Sequence, residues 1–215
     1  MYKLVIFDLD GTLLNTIGDL AAAGNHTLAQ MGFPQHPEEQ YKHFVGNGIP
    51  KLIERMLPPG HDKSAEERAY AIFTEYYAQH KSDHTKPYPG MPELIRELRA
   101  NGVICGSNSN KAHEFSAELI RQNYGDDITE IIGFGAGFQP KPDPGAALEL
   151  IRRTGVQPQQ ALYVGDSDVD IMTGHNAGID VCAALWGFRS REELAAHNPT
   201  YMAENPEQLK KIILG

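Results

Sequence analysis

Leu4-Val5-Ile6-Phe7-Asp8-Leu9-Asp10-Gly11-Thr12 is the stretch whose reading decides the fold. The unbroken apolar run from Leu4 to Phe7 fits a strand covered on both faces, as in the middle of a parallel sheet. Two carboxylates one residue apart follow, then a glycine that lets the backbone turn sharply. Asp-Gly is a common turn pair, which accounts for Asp10-Gly11. It does not account for Asp8, which still belongs to the strand. In open α/β sheets ligands bind in the crevice outside the carboxyl ends of the strands, so the pair marks a candidate site.

Composition limits what that site serves. The chain has 215 residues, 41% hydrophobic and 22% charged, enough for one large domain or a domain with an insert. Its formal net charge of -9 does not suit a phosphate backbone, so no nucleic-acid partner is expected. Cys105 and Cys182 each lie in an apolar, strand-like stretch and read as buried free thiols of a reducing compartment. No apolar run approaches membrane-spanning length, and the first strand begins too early for a signal peptide. The expectation is a cytoplasmic protein with no membrane partner.

Outward from the first strand, Thr16-Ile17-Gly18-Asp19 resembles a capping box, and Ile17, Leu20, Gly24, Leu28 and Met31 recur at helical spacing. A short helix is expected over 38–43, then the turn Val45-Gly46-Asn47-Gly48, then a helix that Pro50 opens and that runs through Met56. Ser64 and Glu67 suggest a capping box for a helix whose Tyr70, Phe73, Tyr76 and Tyr77 would form a core. No strand is expected between Thr16 and Lys81. Beyond Lys86-Pro87-Tyr88-Pro89-Gly90, a stiff linker, strands and helices alternate. Strand-like runs are Val103-Ile104-Cys105, Ile131-Ile132, Ala161-Leu162-Tyr163-Val164, the stretch from Val181 to Leu185, and a weak Tyr201-Met202. Helices are expected over 92–100 and from Pro144 to Thr154. The fold class is α/β: a Rossmann-like parallel-sheet core, 1–14 and 86–215, with an inserted all-α cap, 15–85.

Four strand ends carry polar groups: Asp8 and Asp10; Ser109 and Asn110; Lys141; Asp166 and Asp170. A parallel sheet gathers such ends along one edge. Two carboxylates about 4 Å apart repel by roughly 4 kcal/mol at an effective dielectric near 20. Several offset only by Lys141 therefore call for protons or a cation. All-oxygen ligands without thiolate or imidazole suit Mg²⁺ better than zinc, and Mg²⁺ with open positions takes phosphate. The nine histidines show no metal-ligand spacing and none is assigned a catalytic role. The chemistry expected is phosphoryl transfer.

These same stretches, Asp8-Leu9-Asp10-Gly11-Thr12, Ser109-Asn110-Lys111, Lys141-Pro142-Asp143-Pro144 and Gly165-Asp166-Ser167-Asp168-Val169-Asp170, resemble in order the four motifs of the haloacid dehalogenase superfamily. The helical insert resembles that superfamily's C1-type cap. Phe44-Val45-Gly46-Asn47-Gly48, Tyr163-Val164-Gly165-Asp166-Ser167 and Trp186-Gly187-Phe188 resemble its phosphoglycolate phosphatase-like branch. The resemblance implies Asp8 as nucleophile, Asp10 as general acid and base, and Ser109 and Lys141 as holders of the phosphoryl oxygens. It implies Mg²⁺ on the Asp8 carboxylate, the Asp10 carbonyl and Asp166, with Asp170 acting through water or by orienting Lys141. Thr12, Asn110 and the turn Gly46-Asn47-Gly48 are the expected substrate contacts, the turn serving the non-phosphate end. Asp10 favours phosphate esters over the family's dehalogenases, which lack an acid there.

Some alternatives stay open on sequence. Ser107 competes with Ser109, because two Ser-Asn pairs follow each other. Gly46-Asn47-Gly48 reads equally as a plain turn between helices, and Lys51 and Arg55 equally as a solvated face. The function the resemblance implies is a Mg²⁺-dependent phosphatase acting on a small phosphorylated metabolite, with 2-phosphoglycolate the most specific substrate. A β-phosphoglucomutase-like enzyme, a pyrophosphatase or a nucleotidase would share the architecture, and a phospho-acceptor regulatory domain would share the carboxylates and lysine. Monomer and homodimer are both compatible with the sequence.

Overall fold

Leu4–Phe7 forms β1, and its four side chains are fully buried on alternating sides. The computed structural model describes all residues, 1–215. After β1 the chain makes β2 (Leu14–Asn15) and four helices, α1 (Ile17–Gln30), α2 (Glu38–Phe44), α3 (Ile49–Met56) and α4 (Lys63–His80). It returns through β3 (Lys86–Pro87), α5 (Met91–Ala100), β4 (Ile104–Ala112), α6 (His113–Tyr124), β5 (Glu130–Phe134) and α7 (Gly145–Thr154). The last part holds β6 (Ala161–Gly165), α8 (Asp168–Asn176), β7 (Asp180–Ala184), α9 (Arg191–Ala195), β8 (Tyr201–Ala203) and α10 (Pro206–Leu214). Two compact units result: Met1–Leu14 with Pro87–Gly215, and Asn15–Lys86. No helix is long and apolar enough to cross a membrane.

The first unit is a six-stranded sheet in the order β5-β4-β1-β6-β7-β8, with every neighbouring pair parallel. Alternation along β1 decides its layering. Val5 and Phe7 join Leu94, Leu98, Ile120 and Leu209 on one face. Leu4 and Ile6 join Leu150, Ile151, Ile171 and Leu194 on the other. Each large side chain so buried contributes roughly 1.5–3 kcal/mol. The strand order reverses at β1, so the crevice beyond its carboxyl end lies where flanking connections diverge. Cys105 and Cys182 are buried free thiols, each pushed up to about 12 by burial.

The second unit is helical around Leu20, Leu28, Tyr41, Leu52, Met56, Phe73 and Tyr77. Tyr41 lies over Gly24, where a Cβ would come within 2.4 Å of the ring, and donates its hydroxyl to Asn25 Oδ1 at 2.9 Å. Asp19 is buried and accepts from the backbone N–H groups of His84 and Thr85 and from the Thr85 hydroxyl, at 2.7–2.9 Å. One carboxylate thus ties the start of α1 to the segment that follows α4.

Several expectations need correction. Thr16 makes no side-chain cap on α1, its backbone (φ -102°, ψ 1°) not being the extended one of an N-cap, and the Asp19 carboxylate expected to return the bond is committed to Thr85. Asp62, not Ser64, caps α4, accepting from Ala65 N at 2.8 Å. Tyr70 is 45% exposed rather than core: it shares the helical face of Phe73 and Tyr77 but sits nearer the start of α4, where it lines an open cleft with Pro50 and Ile53. β4 runs nine residues instead of three. Its backbone pairs with β1 from Leu4↔Ile104 to Phe7↔Ser107, and this tertiary pairing outweighs the polar side chains of Ser107 to Asn110. The two-residue strands β2 and β3 carry no periodicity to read.

Candidate active site

Register places the first carboxylate. Phe7 lies level with Ser107 on β4 and Val164 on β6, so Asp8 is the first residue past the paired part of β1. Its backbone N–H still donates to Val164 O at 2.8 Å, which fixes the Asp8 backbone against β6. Asp166 follows β6, and Asp170 lies in the first turn of α8. Asp8, Asp166 and Asp170 are all buried, with carboxylate oxygens within 4.8 Å of one another. The Asp10 side chain is not among them. It turns to Lys111, whose Nζ stands 2.9 Å from Asp10 Oδ1.

Lys141 is the cation of the cluster. Its Nζ donates to Asp8 Oδ1 at 2.7 Å and to Asp170 Oδ1 at 2.6 Å. The Tyr163 hydroxyl is buried beside this ammonium, which opposes the rise that burial gives it, and donates to Asn108 O at 3.2 Å. The Lys141-Pro142 peptide is cis. Asn110 positions the Lys141 backbone: its Oδ1 accepts from Lys141 N at 2.8 Å, and its Nδ2 donates to Lys141 O at 3.3 Å. The Asn110 amide, expected at the substrate, thus also holds the lysine's backbone.

Asp170 is held from behind as well. Its Oδ2 accepts from Ser167 N and from the Ser167 hydroxyl, the latter at 2.6 Å, in a capping box that starts α8. Asp166 Oδ2 accepts from Phe188 N at 2.7 Å, and Oδ1 accepts from the Thr12 hydroxyl at 3.1 Å. Thr12 O in turn accepts from Trp186 Nε1 at 3.0 Å. Gly11 and Gly187 bracket Asp166 so closely that a Cβ on either would lie 2.2 Å from its side chain.

Three carboxylates against one ammonium leave an electrostatic deficit. Burial and then Asp170 push Asp8 well above the carboxylate range, with Lys141 opposing. Burial, followed by Asp170, pushes Asp166 up to about 7, with Phe188 N–H and the Thr12 hydroxyl pulling down. Burial works against the Lys141 charge, but Asp170 and Asp8 outweigh it and keep the ammonium well above its ordinary range. Such a cluster favours one further positive charge, and its donor set is entirely oxygen.

The two serines differ. Ser107 is within the paired strand, level with Phe7, and its buried hydroxyl has no hydrogen-bond partner. Ser109 lies two residues nearer the sheet's carboxyl edge and accepts from Lys111 N at 3.2 Å. Gly46, Asn47 and Gly48 belong to the helical unit, between α2 and α3, where Asn47 Oδ1 accepts from Arg55 at 2.8 Å. Both glycines have positive φ, 121° and 84°. Lys51 pairs with Glu54 at 2.7 Å on the surface.

The family described as haloacid dehalogenase-like hydrolase matches residues 5–184. The chain belongs to that family. Within it, phosphoglycolate phosphatase of Pseudomonas putida is 36% identical over 209 residues, covering 94% of this chain and 76% of the relative. Phosphoglycolate phosphatase of Vibrio vulnificus is 34% identical over 221 residues, covering 99% and 96%. A crystal structure from Lactobacillus delbrueckii subsp. bulgaricus has a TM-score of 0.95 at 31% identity, covering 100% of this chain and 99% of that one. This haloacid dehalogenase-like hydrolase is a phosphatase. Sequence reasoning missed Lys111 as the Asp10 partner, Tyr163 as a Lys141 partner, and the Trp186-Gly187-Phe188 backing of Asp166. Lys111 was visible beside Asn110; Tyr163 read only as strand core.

Proposed function

We propose that this phosphatase hydrolyses a small phosphomonoester, with 2-phosphoglycolate its most specific substrate, through an aspartyl-phosphate formed on Asp8 and with Mg²⁺ as cofactor. The observation that carries the proposal is the buried group Asp8, Asp166 and Asp170 around the single ammonium of Lys141. The ion fits that donor set. Asp8, Asp166 and the Asp10 carbonyl would hold it, with Asp170 behind, and when bound it would neutralise charge on the phosphoryl oxygens.

Each residue has a task its surroundings suit. The Asp8 backbone is fixed against β6, which directs its carboxylate into the crevice for in-line attack on phosphorus. Asp10, two residues on, would protonate the departing alkoxide and then take a proton from the water that hydrolyses the acyl phosphate. Lys141, already aligned by Asp170 and Asn110, would hold an equatorial oxygen without reorganising. Ser109 would hold a second. The preference for 2-phosphoglycolate draws on the names of the relatives, which cover almost the whole chain.

The test is phosphate release with Mg²⁺ across 2-phosphoglycolate, sugar phosphates, nucleotides and pyrophosphate, with Asp8→Asn as the blank. Expected is turnover of 2-phosphoglycolate above the rest and none by the variant. Interconversion of sugar phosphate isomers with little free phosphate would make the protein a mutase. Stoichiometric labelling without turnover would make it a phospho-acceptor.

A further inference from the structure

Lys111 is a second buried cation in the crevice, and none of the roles above uses it. Its side chain is 2% exposed and its Nζ lies 2.9 Å from Asp10 Oδ1, a carboxylate that is not part of the Asp8, Asp166 and Asp170 group. The backbone beneath it is fixed. Ser116 donates its hydroxyl to Lys111 O at 3.3 Å, and Lys111 N donates to Ser109 Oγ at 3.2 Å. β5 presses against this segment at Gly133, where a Cβ would stand 2.8 Å from Lys111 O and 2.5 Å from His113 Cα. A long, flexible side chain has thus been given a fixed root.

Stability does not explain a buried lysine here. Replacing a buried ion pair by apolar side chains of similar volume is often neutral or stabilising, so the pair contributes little to the fold. What it does is set a positive charge next to the carboxylate that would serve the ester oxygen. Lys141 contacts Asp8, the proposed nucleophile, whereas Lys111 contacts Asp10, the group that would serve the leaving oxygen. In 2-phosphoglycolate a single methylene separates the ester oxygen from a carboxylate, which puts the two roughly 3 Å apart by ordinary bond lengths. An ammonium in contact with Asp10 would then stand beside that carboxylate.

We infer that Lys111 is the specificity residue for the leaving group: it pairs with a carboxylate carried on the carbon next to the ester oxygen, and so selects phosphorylated 2-hydroxy acids over neutral alkyl phosphates. The inference rests on the phosphatase function proposed above and deepens it. Arginine at the same position keeps the charge; methionine keeps the length and loses it.

The experiment compares kcat/KM for 2-phosphoglycolate, its carboxyl methyl ester and ethyl phosphate, with Mg²⁺, in the native protein, Lys111→Met and Lys111→Arg. The native protein is expected to favour the free acid over both neutral esters. In Lys111→Met the ratio of 2-phosphoglycolate to ethyl phosphate falls by roughly 10- to 100-fold, the size of one lost hydrogen bond between charged groups. Lys111→Arg retains most of the ratio. A ratio unchanged in Lys111→Met, whatever the absolute rates, overturns the inference and leaves Lys111 a support for Asp10. Should Lys111→Met fail to fold, the native protein still decides: equal kcat/KM for the acid and its methyl ester overturns it. Hydrolysis of all three without preference sinks this inference alone. Release of phosphate from none sinks the phosphatase reading with it.

Discussion

The charge deficit around Asp166 has a consequence for stability that pH makes measurable. Its carboxyl is moved from 3.8 to about 7, chiefly by burial and then by Asp170. A group raised in the folded state binds a proton there that the unfolded chain has already released. Between pH 3.8 and about 7 the stability of the ion-free protein should therefore fall as pH rises. The contribution is complete below 3.8 and lost once pH passes about 7. The slope is about 1.4 kcal/mol per pH unit, and the whole effect roughly 4 kcal/mol. Asp166→Asn isolates it, because the amide keeps the shape and does not titrate. The assay is urea unfolding of both proteins at half-unit steps from pH 4 to 9 in EDTA. Native minus variant stability should decline across the window and level off above it; hydrogen bonds the amide alters shift the curve without changing its slope. A difference flat from pH 4 to 9 would refute the reasoning. Magnesium should offset the loss in the native protein at pH 8 and not in the variant, with apparent affinity weakening as pH falls below 7.

Two further outcomes test the same site. Ser109→Ala should lower kcat/KM by about 10²-fold, by analogy with loss of an oxyanion-binding donor, while Ser107→Ala should change it less than threefold, as steady-state kinetics will report. Tyr163→Phe removes a buried hydroxyl dipole beside the Lys141 ammonium and its bond to Asn108 O. A cost near 1 kcal/mol predicts roughly a fivefold drop in kcat with unchanged KM and an unchanged far-UV spectrum.

The sheet was legible because β1 and β6 are continuous apolar runs, which few other arrangements accommodate. Asp8, Asp166 and Lys141 could be expected together because a parallel sheet brings strand ends to one edge. The rest depended on contacts across the fold that no local pattern encodes. β4 is polar from Ser107 onward and becomes a strand only because β1 and β5 are there to pair with it. Asn110 resembles a ligand group in sequence, yet its amide is taken by the Lys141 backbone, 31 residues away. Thr12 is likewise committed to Asp166, 154 residues away. Asp19 looked like a cap partner to Thr16 and is instead a long-range acceptor for residues near the end of the helical unit.

That last carboxylate bears on how such an enzyme can change. Because Asp19 fastens the outgoing helix to the returning strand segment, the helical excursion is closed upon itself by bonds internal to it. An element stitched shut at its own base behaves like a cassette. Such a closure leaves the sheet's register and acidic edge independent of the bonds that hold the insert together, so sequence change within the insert need not reach them.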